Sequence, residues 1–173
     1  MEYTLAVLPD QAAEVRLLTI RNRGHEMLSY RIVPYFQMML GEEPFDSEGK
    51  IIARFDDARQ AFFFSNPDND FHQGWAFIAT SLPVEAVETL RKRFIGGPER
   101  RISWPYMVEH GTPDSSQTDG GYRIASLAST ITIPPGGEET IAIVVGQADD
   151  FSSEIEDSLQ RAMKVGEVGD LRH

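Results

Sequence analysis

Trp104 and Tyr106, separated by one proline and following Arg100 and Arg101, are the side chains best suited to hold a ligand. Trp, Tyr and Arg are the types in which binding energy concentrates. The flat C–H faces of sugars stack on such rings, so the chemistry these four residues suggest is carbohydrate contact. The competing structural role is ordinary, since a loop tryptophan also pins its loop to a core. Trp75 and Phe77 alternate within an apolar run and read as core instead.

Groups that would make or break bonds are harder to assemble. The sequence contains no G-x-S-x-G elbow, no phosphate-binding GxxxxGK[ST] loop and no H-E-x-x-H helix. His25, His72, His110 and His173 sit singly in turns or at the terminus, without metal-site spacing. Asp56-Asp57 and Asp149-Asp150 resemble the paired carboxylates of glycoside hydrolysis. Adjacent strand residues point to opposite faces, which weakens both pairs as a shared site. Asp68-Asn69-Asp70 lacks the glycine and glutamate of a calcium loop and reads as a turn. The expectation is a chain with no catalytic residue, no metal and no cofactor.

Composition narrows the partners. Asp and Glu number 27 against 16 Lys and Arg, a surface that repels phosphate backbones and anionic lipid. Neither nucleic acid nor membrane is expected. Against this trend Arg91, Lys92, Arg93, Arg100 and Arg101 form a basic cluster, read as a solvated loop pairing with local carboxylates. There is no cysteine, which rules out disulfides and thiolate chemistry and fits a reducing compartment. The N-terminus lacks a basic stretch followed by an apolar one, and the apolar runs are too short for a membrane helix. A cytoplasmic location is the expectation.

Periodicity indicates strands through most of the chain, organised as a single domain over residues 1–173. In Val15 to Arg21 both faces carry apolar groups, as in a strand lying between layers. Asn22 to His25 turns the chain into the run Leu28 to Leu40, which predicts a hairpin bringing Ile20 and Ile32 together. Pro34 marks that run as an edge or a bulge. Short strands follow at Ile51 to Phe55, Ala61 to Ser65 and Trp75 to Thr80, with a turn at Asn66 to Asp70. Val84, Val87, Leu90 and Phe94 recur at helical spacing, so a helix is expected over about 83–95. Residues 98–121 read as a long loop, a length that is more often functional than idle. Tyr122 to Ile133 and Glu139 to Val145 close the domain around Pro134-Pro135-Gly136-Gly137. A C-terminal helix is expected over about 151–164, capped by Ser153 and carrying Ile155, Leu159 and Met163 on one stripe. Many short strands with two short helices give a mainly β fold, an antiparallel β-sandwich.

Three stretches in order resemble one family. Arg31 to Leu40, after Asn22 and its turn, looks like its "N-x-x … Y-x-x-x-L" portion. Leu90 to Gly97, followed by Pro105, is similar to its "D-R-x-x-F-l-G" element, and Ile131 to Ala148 resembles its "P-G-e … f-x-l-G-x-a" ending. The family comprises the cellobiose and chitobiose phosphorylases and the phosphorylase-like part of cyclic β-1,2-glucan synthases, formerly glycosyltransferase family 36. The resemblance spans roughly residues 10–160. It implies a supersandwich akin to that of galactose mutarotase. In the family this domain precedes an (α/α)6 barrel that holds the catalytic acid, helps form the dimer, and lends a loop near the active site. The motif's Asp-Arg is replaced here by Leu90-Arg91 or by Lys92-Arg93, depending on the alignment. The chain is shorter than the full sandwich domain, and His173 falls where a linker helix and barrel would start, so no catalytic residue carries over.

Three functional classes follow. The leading one is a non-catalytic carbohydrate-associated domain that binds a β-glucan or oligosaccharide through Trp104, Tyr106, Arg100 and Arg101, or supports a catalytic-barrel partner chain. The second is an assembly domain, forming a homodimer through an edge strand at Pro34 to Leu40 with Tyr35, Phe36, Met38 and Met39. The third, a mutarotase-like enzyme, would need a His and a Glu to converge from His25 or His72 and Glu26 or Glu43.

Overall fold

The computed structural model describes residues 1–8, 11–43, 48–70, 73–111 and 121–149, together with Gln160 and Lys164. Within these residues the chain runs β1 (Glu2–Val7), β2 (Ala13–Arg21), β3 (Leu28–Ile32), β4 (Phe36–Gln37), β5 (Ile52–Asp56), β6 (Ala61–Ser65), β7 (Trp75–Thr80) and β8 (Ala86–Leu90). It continues through α1 (Arg91–Ile95), α2 (Tyr106–His110), β9 (Arg123–Ile133) and β10 (Glu138–Ala148). Of the helix expected over about 151–164 only Gln160 and Lys164 are described, both helical, and the rest lies outside the described residues.

Six strands form one antiparallel sheet in the order β1-β2-β10-β7-β6-β5, and the rest gather around β9. β9 pairs with β3 and β4 along one edge and with β8 along the other. β3 and β4 keep a single register against β9, with Leu28 opposite Ile133 and Gln37 opposite Ile124. They are therefore one strand broken at Val33-Pro34-Tyr35. The break falls where proline, having no N–H, would cost the ladder a bond.

The two sheets face each other across an apolar layer. Phe62, Phe64, Ile78, Ile141 and Ile143 from the large sheet meet Ala125, Leu127, Ile131 and Ile133 of β9 and Val87 of β8. The large sheet's opposite face carries a second buried cluster with Val15, Leu17, Phe63, Phe77 and Val144. Double-sided burial explains the near-continuous apolar runs of β6 and β10, and the split of β2 into two apolar faces.

Three sequence expectations are corrected. β2 and β3 do not form a hairpin: Ile20 pairs with Glu139 in the large sheet and Ile32 with Ser129 in the small one. The turn at Asn22 carries the chain between sheets, so neighbours in sequence end in different layers. The helix expected over 83–95 is a strand as far as Leu90 and a helix only from Arg91. Every residue from Ala86 to Thr89 is buried, and the strand fills the free edge of β9. In so short an apolar run, periodicity cannot separate strand from helix, and the vacant ladder decides. The loop expected over 98–121 contains α2.

Asn22 ties the two inter-sheet corners together. Its side-chain Nδ2 donates to the carbonyls of Glu26 (2.8 Å) and Ile133 (2.9 Å), and its Oδ1 accepts from Gly24 N (2.9 Å). Its backbone exchanges bonds with the second corner, donating to Gly137 O and accepting from Gly136 N. That corner is the proline-proline-glycine-glycine turn, closed by Gly137 N to Pro134 O, with Gly136 at φ +70°. Replacing Asn22 by alanine strips two carbonyls of their donor, a loss of about 1–3 kcal/mol. Urea unfolding should show a lower midpoint with an unchanged slope; an unchanged midpoint would mean the corners hold without this side chain.

Candidate functional site

The inner face of β9 belongs to the sandwich core, but its outer face is buried too over Ile124, Ser126 and Ala128. α1 and α2 supply the cover at Ile124. Phe94 and Ile95 of α1 and Met107 of α2 close on Ile124, with Val33 and Tyr35 packed at the margin. Tyr35 lies against Phe94 at 4.9 Å between ring centroids. The helices face inward with these few apolar residues, so Arg91, Lys92, Arg93, Tyr106, Val108, Glu109 and His110 are left outside.

Under this cover lies Glu88, fully buried on β8 opposite Ser126. Its Oε1 accepts from the amides of Thr89 (3.0 Å) and Leu90 (2.9 Å) at a bulge in the strand, and its Oε2 is 3.3 Å from Arg93 Nε. Amide donors and a guanidinium are what a buried carboxylate needs to stay charged. Glu88 thereby fixes both the bulge and the side chain of Arg93.

Between the helices the chain makes two successive turns, Arg100 N bonding Gly97 O and Trp104 N bonding Arg101 O, each at 3.0 Å. Pro105 then starts α2 in extended backbone, a start that proline's fixed φ favours. One helical turn later His110 stacks on Tyr106, with centroids 4.1 Å apart and planes 13° from parallel. The His110 Nδ1 lies 3.2 Å from the Tyr106 carbonyl oxygen. The guanidinium of Arg100 sits over the Tyr106 ring, 5.2 Å from its centroid, and pairs with Glu109. The Arg100 hydrogen bond is the main reason the Glu109 carboxyl is held below its usual range, burial opposing it; the charges of Arg100 and His110 and the Trp104 indole add to the lowering.

All four residues singled out from sequence therefore meet around Arg100. Arg100 and Tyr106 line a cavity of about 640 Å³ that reaches down to Glu88, Arg93 and His110. Arg100, Arg101 and Trp104 line an adjoining one of about 420 Å³, and Glu99 is shared by both. Trp104 is 67 % exposed, so it does not pin its loop to the core but offers its face to water. Both volumes lie within the ~300–1,000 Å³ range of small-molecule sites. Exposed rings flanked by a fixed guanidinium and carboxylates can stack on an apolar face and exchange hydrogen bonds with hydroxyls at its rim.

Sequence reasoning missed Glu109, Glu88, Glu99 and the partnership of His110. The signal for His110 is the Tyr106–His110 spacing of four, which becomes visible only once a helix is placed there. Glu109 holds Arg100 and Trp104 from a position that no motif marks. The basic cluster is partly helical rather than a loop, and it does pair locally, Arg93 with Glu88 and Arg100 with Glu109. The other candidates are kept apart. Asp56 and Asp57 stabilise their own turn, Asp56 pairing with Arg59 at 2.5 Å and Asp57 accepting from Gln60 at 3.3 Å. His25 and Glu26 are exposed on the Asn22 corner, and His72 lies outside the described residues. Among the described residues no three His, Asp or Glu side chains converge as a metal-binding set, and no helix is long and apolar enough to cross a membrane.

The sequence profile of the glycosyl hydrolase 94 supersandwich domain matches residues 1–164. Over 139 residues the chain is 27 % identical to the cyclic beta-(1,2)-glucan synthase NdvB of Rhizobium meliloti (strain 1021), a match covering 79 % of this chain and 5 % of that protein. The chain thus corresponds to a small part of that relative.

The platform depends on Gly96, which ends α1 at φ +97° and ψ −149°, a conformation essentially reserved for glycine. A Cβ there would meet Arg100 Cδ at 2.8 Å and Tyr106 Cβ at 2.9 Å. At Gly136 a Cβ meets nothing within 4 Å, so only the backbone penalty applies. Gly96→Ala should therefore cost about 1–3 kcal/mol and more than Gly136→Ala. It should also change the near-ultraviolet dichroism of the tryptophan. Equal costs in thermal unfolding, with an unchanged spectrum, would show that the close approach at Gly96 is not what shapes this surface.

Proposed function

Because the chain belongs to the glycosyl hydrolase 94 supersandwich domain family, we propose that it is a non-catalytic carbohydrate-associated domain. It holds a β-gluco-oligosaccharide on the surface made by α1, α2 and the turns between them. Trp104 provides the outer stacking face and Tyr106, backed by His110, the inner one. Arg100, steered by Glu109, and Arg101 donate to ring hydroxyls. Glucan chemistry itself belongs to a catalytic chain or barrel that this domain supports. The glucan named for the Rhizobium relative makes β-1,2-linked chains the first ligand to test.

The observation that carries this reading is the convergence of the four side chains around Arg100, with a tryptophan two-thirds exposed beside two adjoining cavities. Tryptophan is highly buried on average, so a ring this exposed is available for a contact. The absence of a catalytic constellation in the sequence supports a binding role over turnover.

Calorimetric titration with β-1,2- and β-1,4-linked gluco-oligosaccharides tests it. Saturable heat is expected, with Trp104→Ala weakening the affinity at least about tenfold, as for a residue that carries binding energy. Unchanged affinity in that variant removes the assignment of the site, and no heat with either series from folded protein removes glycan binding. Glu109→Gln should weaken binding less than Trp104→Ala, because it frees Arg100 without removing a contact face. Acid should act similarly. The Glu109 carboxyl is held low, so the Arg100 pair is intact above the carboxylate range and is lost only as pH falls through that lowered value.

A further inference from the structure

The charge around the two cavities runs against that of the chain. Acidic side chains number 27 against 16 basic ones, yet Lys92, Arg93, Arg100 and Arg101 all line these cavities. Three carboxylates share the walls: Glu88, Glu99 and Glu109. Two of them are already engaged. Glu88 is buried and takes two backbone amides and Arg93, while Glu109 takes Arg100. Glu99 folds back over Gly97, its carboxylate filling the space that a Cβ there would occupy.

Arg93 and Arg100 are thus fixed and locally neutralised. Lys92 and Arg101 differ from them. Both are exposed, and among the described residues the side chain of neither pairs with a carboxylate. Lys92 lines the inner cavity together with Tyr106 and His110, and Arg101 lines the outer one together with Trp104. Each stacking ring therefore shares its cavity with one cation that the fold has not used. A neutral sugar can use such a side chain only as a hydrogen-bond donor, whereas an anionic one is also drawn in by its charge.

Resting on the reading of this surface as a glycan site, we propose that its ligand is an acidic oligosaccharide, selected by Lys92. The sugar carries an anionic substituent, a carboxylate or a phosphate ester. Its ring stacks on the aromatic face, and the substituent enters the inner cavity within reach of the Lys92 ammonium. A volume of about 640 Å³ accommodates a sugar unit with such a group. The flexible stem and three donors of a lysine suit this role better than a guanidinium already held by a carboxylate.

Calorimetric titration at low and high salt with three β-1,2-linked gluco-oligosaccharides of equal length tests the proposal. One is neutral, one ends in a 6-carboxylate and one in a 6-phosphate. An acidic form should bind about fivefold tighter than the neutral one, as for a partly exposed ion pair, and salt should shrink that advantage. The tighter of the two acidic forms identifies the substituent. Lys92→Gln should remove most of the advantage and leave the neutral ligand's affinity unchanged. Arg23→Gln, an exposed charge on the Asn22 corner, should change neither. Equal affinity for all three sugars, or an advantage that survives Lys92→Gln, would overturn the proposal and leave the glycan site standing. Inorganic phosphate or acetate binding as tightly as the acidic sugars would also overturn it, by showing a bare anion site. No binding of any sugar would remove the underlying glycan reading as well.

Discussion

The structure depends on β9 having to be buried on both faces. Its inner residues, Ala125 to Ile133 in alternation, complete the sandwich core. Its outer residues Ile124, Ser126 and Ala128 are apolar or small and cannot face water cheaply in the middle of a ladder. A second cover is therefore required, and among the described residues the segment between β8 and β9 supplies it at Ile124. Two helices of five residues each do so. Neither would hold in isolation, since a helix this short does not repay its own nucleation. They persist because Phe94, Ile95 and Met107 reach Ile124, and because Glu88 anchors Arg93 from beneath. The candidate site is the outside of that cover.

This origin explains the site's character. A thin cover spends its apolar residues inward and has little left with which to bury Trp104 or Tyr106. The rings stand in water, organised by Arg100, Glu109 and His110 rather than by a core. A rigid base with an exposed aromatic rim is suited to recognition, where a preorganised surface lowers the entropy cost of binding.

Much of this was legible in the chain. Period-two alternation located β2, β6 and β7, the glycine-proline turns located the corners, and ordered motifs placed the family. The four candidate contact residues were identified by type and do come together. What failed, failed for tertiary reasons. Val84, Val87 and Leu90 have helical spacing, yet a vacant ladder beside β9 makes Ala86–Leu90 a strand. Ile20 and Ile32 have hairpin spacing, yet Asn22 bonds to Ile133 and so carries the chain into the other sheet. α2 is hidden because five residues between Pro105 and Gly111 are too few for periodicity to register. Glu109 and Glu88 carry no motif, and only the folded arrangement shows what each of them holds.

The claim that the outer cover of β9 is the recognition surface is tested most directly by following amide and indole resonances during titration with a β-1,2-linked gluco-oligosaccharide. The account predicts shifts confined to residues 92–111 and the Trp104 indole, with β1 and the Asn22 corner unmoved. Shifts centred elsewhere on the chain, with the Trp104 indole unperturbed at saturation, would contradict it.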